Sequence, residues 1–122
     1  MPEPPDVLAA EADPAVNQLV AVVLGRAGFR VGRVSDPSAV AAALTPEVQL
    51  VVLGGCGGGV CAAAVAADLR ARGATTPLLI LSGQSNPEAD AVAAADPTVL
   101  VLHKPFRPAD LTSAALTLID GA

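Results

Sequence analysis

Leu50-Val51-Val52-Leu53 is apolar at four successive positions, and so is Leu78-Leu79-Ile80-Leu81. Successive side chains of a strand point to opposite faces, so a strand with one wet face alternates apolar and polar residues. An unbroken apolar run of strand length therefore predicts a strand covered on both faces, as in a parallel sheet between two layers of helices. Longer runs with helical spacing separate these segments. Asp13-Pro14 supplies a cap and a first-turn Pro, and Val16, Leu19, Val20, Val23, Leu24 and Ala27 follow on one predicted apolar face that ends at Gly28. The alternation then repeats. Strands are predicted over 6–10, 29–34, 50–53, 78–81 and 98–102, with helices over 14–27, 37–44, 60–72, 87–95 and 108–120. Such an order predicts an α/β, doubly wound parallel sheet in a single domain spanning 6–120. Residues 1–5, Met-Pro-Glu-Pro-Pro, read as a disordered tail.

Composition narrows the function classes. The chain has 122 residues, of which 52% are hydrophobic, 16% charged and 2% aromatic. That is enough apolar material for one core and excludes a disordered chain. Only 7 Lys and Arg stand against 12 Asp and Glu, for a net charge of −5, so no nucleic acid is expected as partner. The apolar runs fall far short of the roughly 20 residues of a membrane helix, and no basic segment followed by an apolar one opens the chain. Two cysteines make no disulfide scaffold, so a cytoplasmic protein is expected.

In sheets of this kind the site lies beyond the C-terminal ends of the strands. Those positions hold Glu11, Ala12 and Asp13, then Gly54, then Ser82 and Gly83, then His103, Lys104 and Pro105. With Leu81-Ser82-Gly83, Lys104-Pro105-Phe106, Asp13-Pro14, Leu69-Arg70-Ala71-Arg72-Gly73 and Thr76-Pro77, the chain resembles the receiver domain of two-component response regulators from Asp6 to about Ile119. The resemblance implies a flavodoxin-like (βα)5 fold with strand order 2-1-3-4-5. It also implies a Mg²⁺ site built from an acidic pair after strand one and a phosphoaccepting Asp ending strand three. A Ser or Thr after strand four and a Lys after strand five contact the phosphoryl group. Carried onto this sequence, the acceptor position falls on Gly54 and the acidic pair on Glu11 and Ala12. Ser82 and Lys104 match, with Pro105 expected in cis, and the aromatic switch position falls on Val101.

Mg²⁺ demands oxygen ligands, and acyl phosphate formation demands a carboxylate. Asp13 is expected to cap a helix and Asp68 lies far along another, so neither replaces the missing acceptor. These substitutions predict a degenerate pseudo-receiver with no metal, no cofactor and no catalytic residue. No nucleophile–base pair is visible, so the chain is not expected to be an enzyme. Its expected work is phosphorylation-independent signal transduction through protein contacts. The resemblance places a partner or homodimer surface on the fourth helix, fifth strand and fifth helix, which carry Glu88, Asp90, Arg107 and Asp110.

Rival readings attach to particular residues. Lys104 pairs with Glu11, stays solvated, or with Ser82 and the Gly54–Gly59 loop holds a small anionic ligand. That loop contains a loose Gly57-x-Gly59-x-x-Ala62 pattern but no Walker Lys-Ser/Thr, and otherwise reads as a flexible connection. Cys56 and Cys61 read as two partly buried thiols or as a thiol redox switch, a disulfide requiring Cα atoms within about 7 Å. His103 reads as an exposed strand-end residue.

Overall fold

A computed structural model describes residues 5–35, 37–57, 60–83 and 86–121, so the tail expected over 1–5 lies outside the described residues except for Pro5. Strands β1 (Val7–Glu11), β2 (Val31–Val34), β3 (Leu50–Gly54), β4 (Leu78–Ser82) and β5 (Val99–His103) form one sheet in the order β2-β1-β3-β4-β5. Every pairing in it is parallel. The helices are α1 (Pro14–Arg26), α2 (Val40–Ala43, led by a 3-10 turn at Pro37–Ala39), α3 (Ala62–Ala71), α4 (Pro87–Ala95) and α5 (Pro108–Asp120). This is the flavodoxin-like order 2-1-3-4-5.

The unbroken apolar runs have their cause in the two layers. Val51, Leu53, Leu78 and Ile80 pack with Val40, Val65, Ala66, Leu69 and Ala89, on the side of α2, α3 and α4. Leu50, Val52, Leu79 and Leu81 point the other way and pack with Val20, Leu24, Leu111, Ala115 and Leu118, on the side of α1 and α5. Each fully buried Leu or Val contributes about 1.5–3 kcal/mol of transfer free energy, and a polar residue in either phase would face a dry layer. Helix ends are set locally. The Asp13 carboxylate accepts from the Ala15 N–H at 2.9 Å, and the Asn86 side chain accepts from the Ala89 N–H at 3.1 Å. Gly28 and Gly73 follow α1 and α3 at φ +103° and +86°, where a side chain would be strained.

Two sequence expectations need correction. The buried stripe of α1 is Asn17, Val20 and Leu24, whereas Leu19 is 39% exposed. The helix is rotated so that the Asn17 amide reaches three strand carbonyls, and this polar anchor sets the phase against the purely apolar pattern. The second correction concerns the Gly-rich segment. The predicted helix over 60–72 begins at Ala62, because Cys56–Gly57 and Val60–Cys61 pair as a two-stranded antiparallel hairpin. Cys61 is extended at φ −103° and ψ 161°, and the Ala62 N–H donates to the Gly55 carbonyl at 3.0 Å.

A polar clamp closes the opposite end of the sheet. Arg70 donates from Nε to Asp96 Oδ2 at 2.7 Å, from Nη1 to the Ala74 carbonyl at 3.0 Å and from Nη2 to Thr98 Oγ1 at 2.8 Å. The Thr98 hydroxyl donates to Asp96 Oδ1 at 2.6 Å. That hydroxyl first, and Arg70 second, lower the Asp96 carboxyl from 3.8 to about 2. A carboxyl depressed on folding adds stability that is present above its unfolded value and is lost as pH falls toward the folded one. Both side chains are about a quarter exposed (22% and 25%), so solvent screening reduces the effect to about 1 kcal/mol. Asp96→Asn is expected to lower stability by about that amount at pH 7 and by almost nothing near pH 2, as read by urea denaturation at the two pH values.

Candidate functional site

Parallel pairing brings the C-terminal ends of β1, β3, β4 and β5 to one edge of the sheet. Glu11 stands in register with Gly54, and Ser82 with His103. The Ala12 N–H donates to the Gly54 carbonyl at 3.1 Å, and the Lys104 N–H to the Ser82 carbonyl at 2.6 Å. The Lys104–Pro105 bond is cis, as the resemblance implies. Glu11, Gly54, Ser82 and Lys104 therefore belong to one cleft.

Glu11 is 1% exposed, a burial that a carboxylate tolerates only when paired. Its Oε2 accepts from the Asp13 N–H at 3.0 Å. Its Oε1 lies 2.6 Å from Lys104 Nζ. The second contact is an ion pair without the alignment of a hydrogen bond, so Oε1 receives no directed donor. The Lys104 side chain keeps 25% exposure, which lets its remaining protons reach water.

The position of that carboxylate explains the glycine beside it. A Cβ built on Gly54 would collide with Glu11 Oε1 and lie 2.6 Å from Glu11 Cδ. Gly55, at φ +72°, continues the close approach: a Cβ there would meet Glu11 Oε2 and Ala12 Cβ, each at 3.0 Å. Glu11 thus takes the space that a side chain at position 54 would need, and presents its own carboxylate to Lys104 from there.

The donors present do not fit Mg²⁺. Both Glu11 oxygens are engaged, and Ala12 and Gly54 offer none. Among the described residues no group of three or more His, Cys, Asp or Glu is placed to hold a metal ion. Val101 packs against the core layer of α3 and α4, and Ser82 is buried. His103 is exposed at the end of β5. Beside Lys104 an apolar cleft of about 420 Å³ is walled by Val16, Leu19, Pro105 and Phe106.

Cys56 and Cys61 stand opposite each other in the hairpin, and Cys61 is exposed and disulfide-bonded. Cys61 is therefore not the partly buried thiol expected; antiparallel pairing sets facing Cα atoms about 4.5–5.5 Å apart, within disulfide reach.

Sequence reading missed Asn17, which is 3% exposed. Its Nδ2 donates to the carbonyls of Ala9 (3.2 Å), Glu11 (3.1 Å) and Val34 (2.9 Å), and its Oδ1 accepts from Arg33 Nε at 2.6 Å. The available signal was a lone amide one turn before Val20 and Leu24 on the same helical face. On the expected partner surface, Arg107 lies 3.6 Å from Asp110 of its own helix. Among the described residues the large exposed apolar side chains, Leu19, Val22 and Leu116, lie instead on α1 and α5.

Comparison of the coordinates with solved structures places this architecture. The receiver domain of NtrX from Brucella abortus superposes with a TM-score of 0.82 and 21% identity, over 96% of this chain and 100% of that one. This is the receiver fold. Chemotaxis protein CheY4 from Vibrio cholerae gives 0.77 at 23% identity, over 92% of this chain and 96% of that one. The signal receiver domain of the putative response regulator NarL from Mycobacterium tuberculosis gives 0.80 at 21% identity, over 99% and 100%. No protein-family model and no curated protein matches the sequence. No helix among the described residues is long and apolar enough to cross a membrane.

Proposed function

We propose that this receiver-fold domain is a phosphorylation-independent signalling module that acts through protein contacts and is not an enzyme. One observation carries the reading. The Glu11 carboxylate fills the space of a residue-54 side chain and holds Lys104 at 2.6 Å. Transfer to a carboxylate needs an accessible carboxylate oxygen and a cation to offset the charge of the incoming phosphoryl group. Here the carboxylate present is buried, and the cation is already neutralised by it. The same pairing weighs against a small anion at Lys104 and Ser82, since an anion there would compete with a covalently tethered partner. This reading puts the mode of action at the surface, in contacts with a protein partner.

The test is incubation with acetyl phosphate and Mg²⁺, followed by intact-protein mass spectrometry. The expected spectrum shows the unmodified mass alone. A stable gain of one phosphoryl group would overturn the proposal.

A further inference from the structure

Next to the closed cleft lies an open one of about 290 Å³, lined by Glu11, Pro14, Asn17, Arg33, Val34 and Ser35. Its two charged groups are differently placed. Glu11 is compensated by Lys104, 2.6 Å from its Oε1, and by the Asp13 N–H, 3.0 Å from its Oε2. Arg33 is held by one nitrogen: Nε donates to Asn17 Oδ1 at 2.6 Å, and among the described residues no acceptor takes its Nη groups. Asn17 is itself buried and anchored to three carbonyls from β1 and β2, so the guanidinium is tethered to the rigid end of the sheet. An arginine held through Nε in the lining of a cleft keeps its two Nη groups for a planar oxyanion.

From this we infer that the cleft at Arg33 is a binding site for a small molecule bearing one carboxylate. One guanidinium balances one carboxylate and matches its geometry in a two-pronged contact. A phosphate dianion would carry an excess charge onto a chain of net charge −5. Ser35 adds a hydroxyl at the rim, and Pro14 and Val34 form an apolar wall for a short hydrocarbon body. The cavity sits at the small end of the range for ligand pockets, which sets the size of the ligand. Binding would reach Glu11 through Asn17, whose Nδ2 holds the Glu11 carbonyl.

The experiment is a ¹H–¹⁵N NMR titration of the full chain with butyrate, with inorganic phosphate and sodium chloride as parallel arms. Butyrate should shift the Arg33 Nε–H, the Asn17 side-chain amide and the Ser35 amide together and saturably. A dissociation constant on the order of millimolar is appropriate for so small a probe. Arg33→Gln, an exposed substitution, should weaken binding at least about tenfold through loss of the paired contact. Arg107→Gln, remote from the cleft, should leave it within about twofold. Equal shifts from phosphate would overturn the carboxylate assignment. The site itself would be overturned by non-saturable shifts, by shifts centred on Lys104, or by unchanged affinity in Arg33→Gln.

Discussion

Lys104→Met is expected to destabilise the domain by about 3 kcal/mol at neutral pH, because it strands a buried carboxylate. Glu11 is 1% exposed and cannot recover solvation by a small movement, whereas Lys104 at 25% already touches water. The damage is therefore asymmetric. Glu11→Gln leaves an amide oxygen to accept from the Asp13 N–H and an ammonium that rotates toward solvent, so its cost is about 1 kcal/mol. For a domain of this size the Lys104→Met loss corresponds to a fall of roughly 10 °C in Tm. Thermal unfolding followed by circular dichroism checks both the size and the order of the two effects. Equal losses from the two variants, or none from Lys104→Met, would show that the pair is a surface contact and not a buried lock.

The second large effect follows from Gly54. Its backbone lies in a strand without positive φ, so the conformation itself admits any residue. What excludes a side chain is the Glu11 carboxylate. Gly54→Ala should force that carboxylate off Lys104 and cost about 2–3 kcal/mol. Gly54→Asp should cost more, because it adds a second buried carboxylate against the first. Placing a carboxylate at position 54 is therefore not expected, by itself, to create a phosphorylation site. The resident carboxylate has to leave first.

Much of this was legible in the sequence, and the reasons are specific. Leu50-Val51-Val52-Leu53 and Leu78-Leu79-Ile80-Leu81 announced doubly covered strands, because each residue in turn faces one of two dry layers. Asp13-Pro14 and Asn86-Pro87 announced helix starts through short-range hydrogen bonds. The Asn17 anchor and the Arg70–Asp96–Thr98 clamp were not legible. They join residues far apart in sequence through single polar contacts that leave no period. The hairpin at Cys56–Gly57 and Val60–Cys61 was hidden by glycines compatible with many turns. That Ala12, Gly54 and Val101 differ from the receiver pattern was plain residue by residue. That Glu11 occupies the space at Gly54 emerged only from the β1–β3 register, which sets the two opposite each other.

The most direct measurement compares Gly54→Ala in two backgrounds by chemical denaturation. With native Glu11, the substitution should cost about 2–3 kcal/mol. With Glu11→Ala the space is free, and the same change should be neutral or stabilising by a few tenths of a kcal/mol, as glycine-to-alanine changes are where the backbone accepts them. An equal loss in both backgrounds would contradict the assignment of Glu11 to the space of the missing side chain.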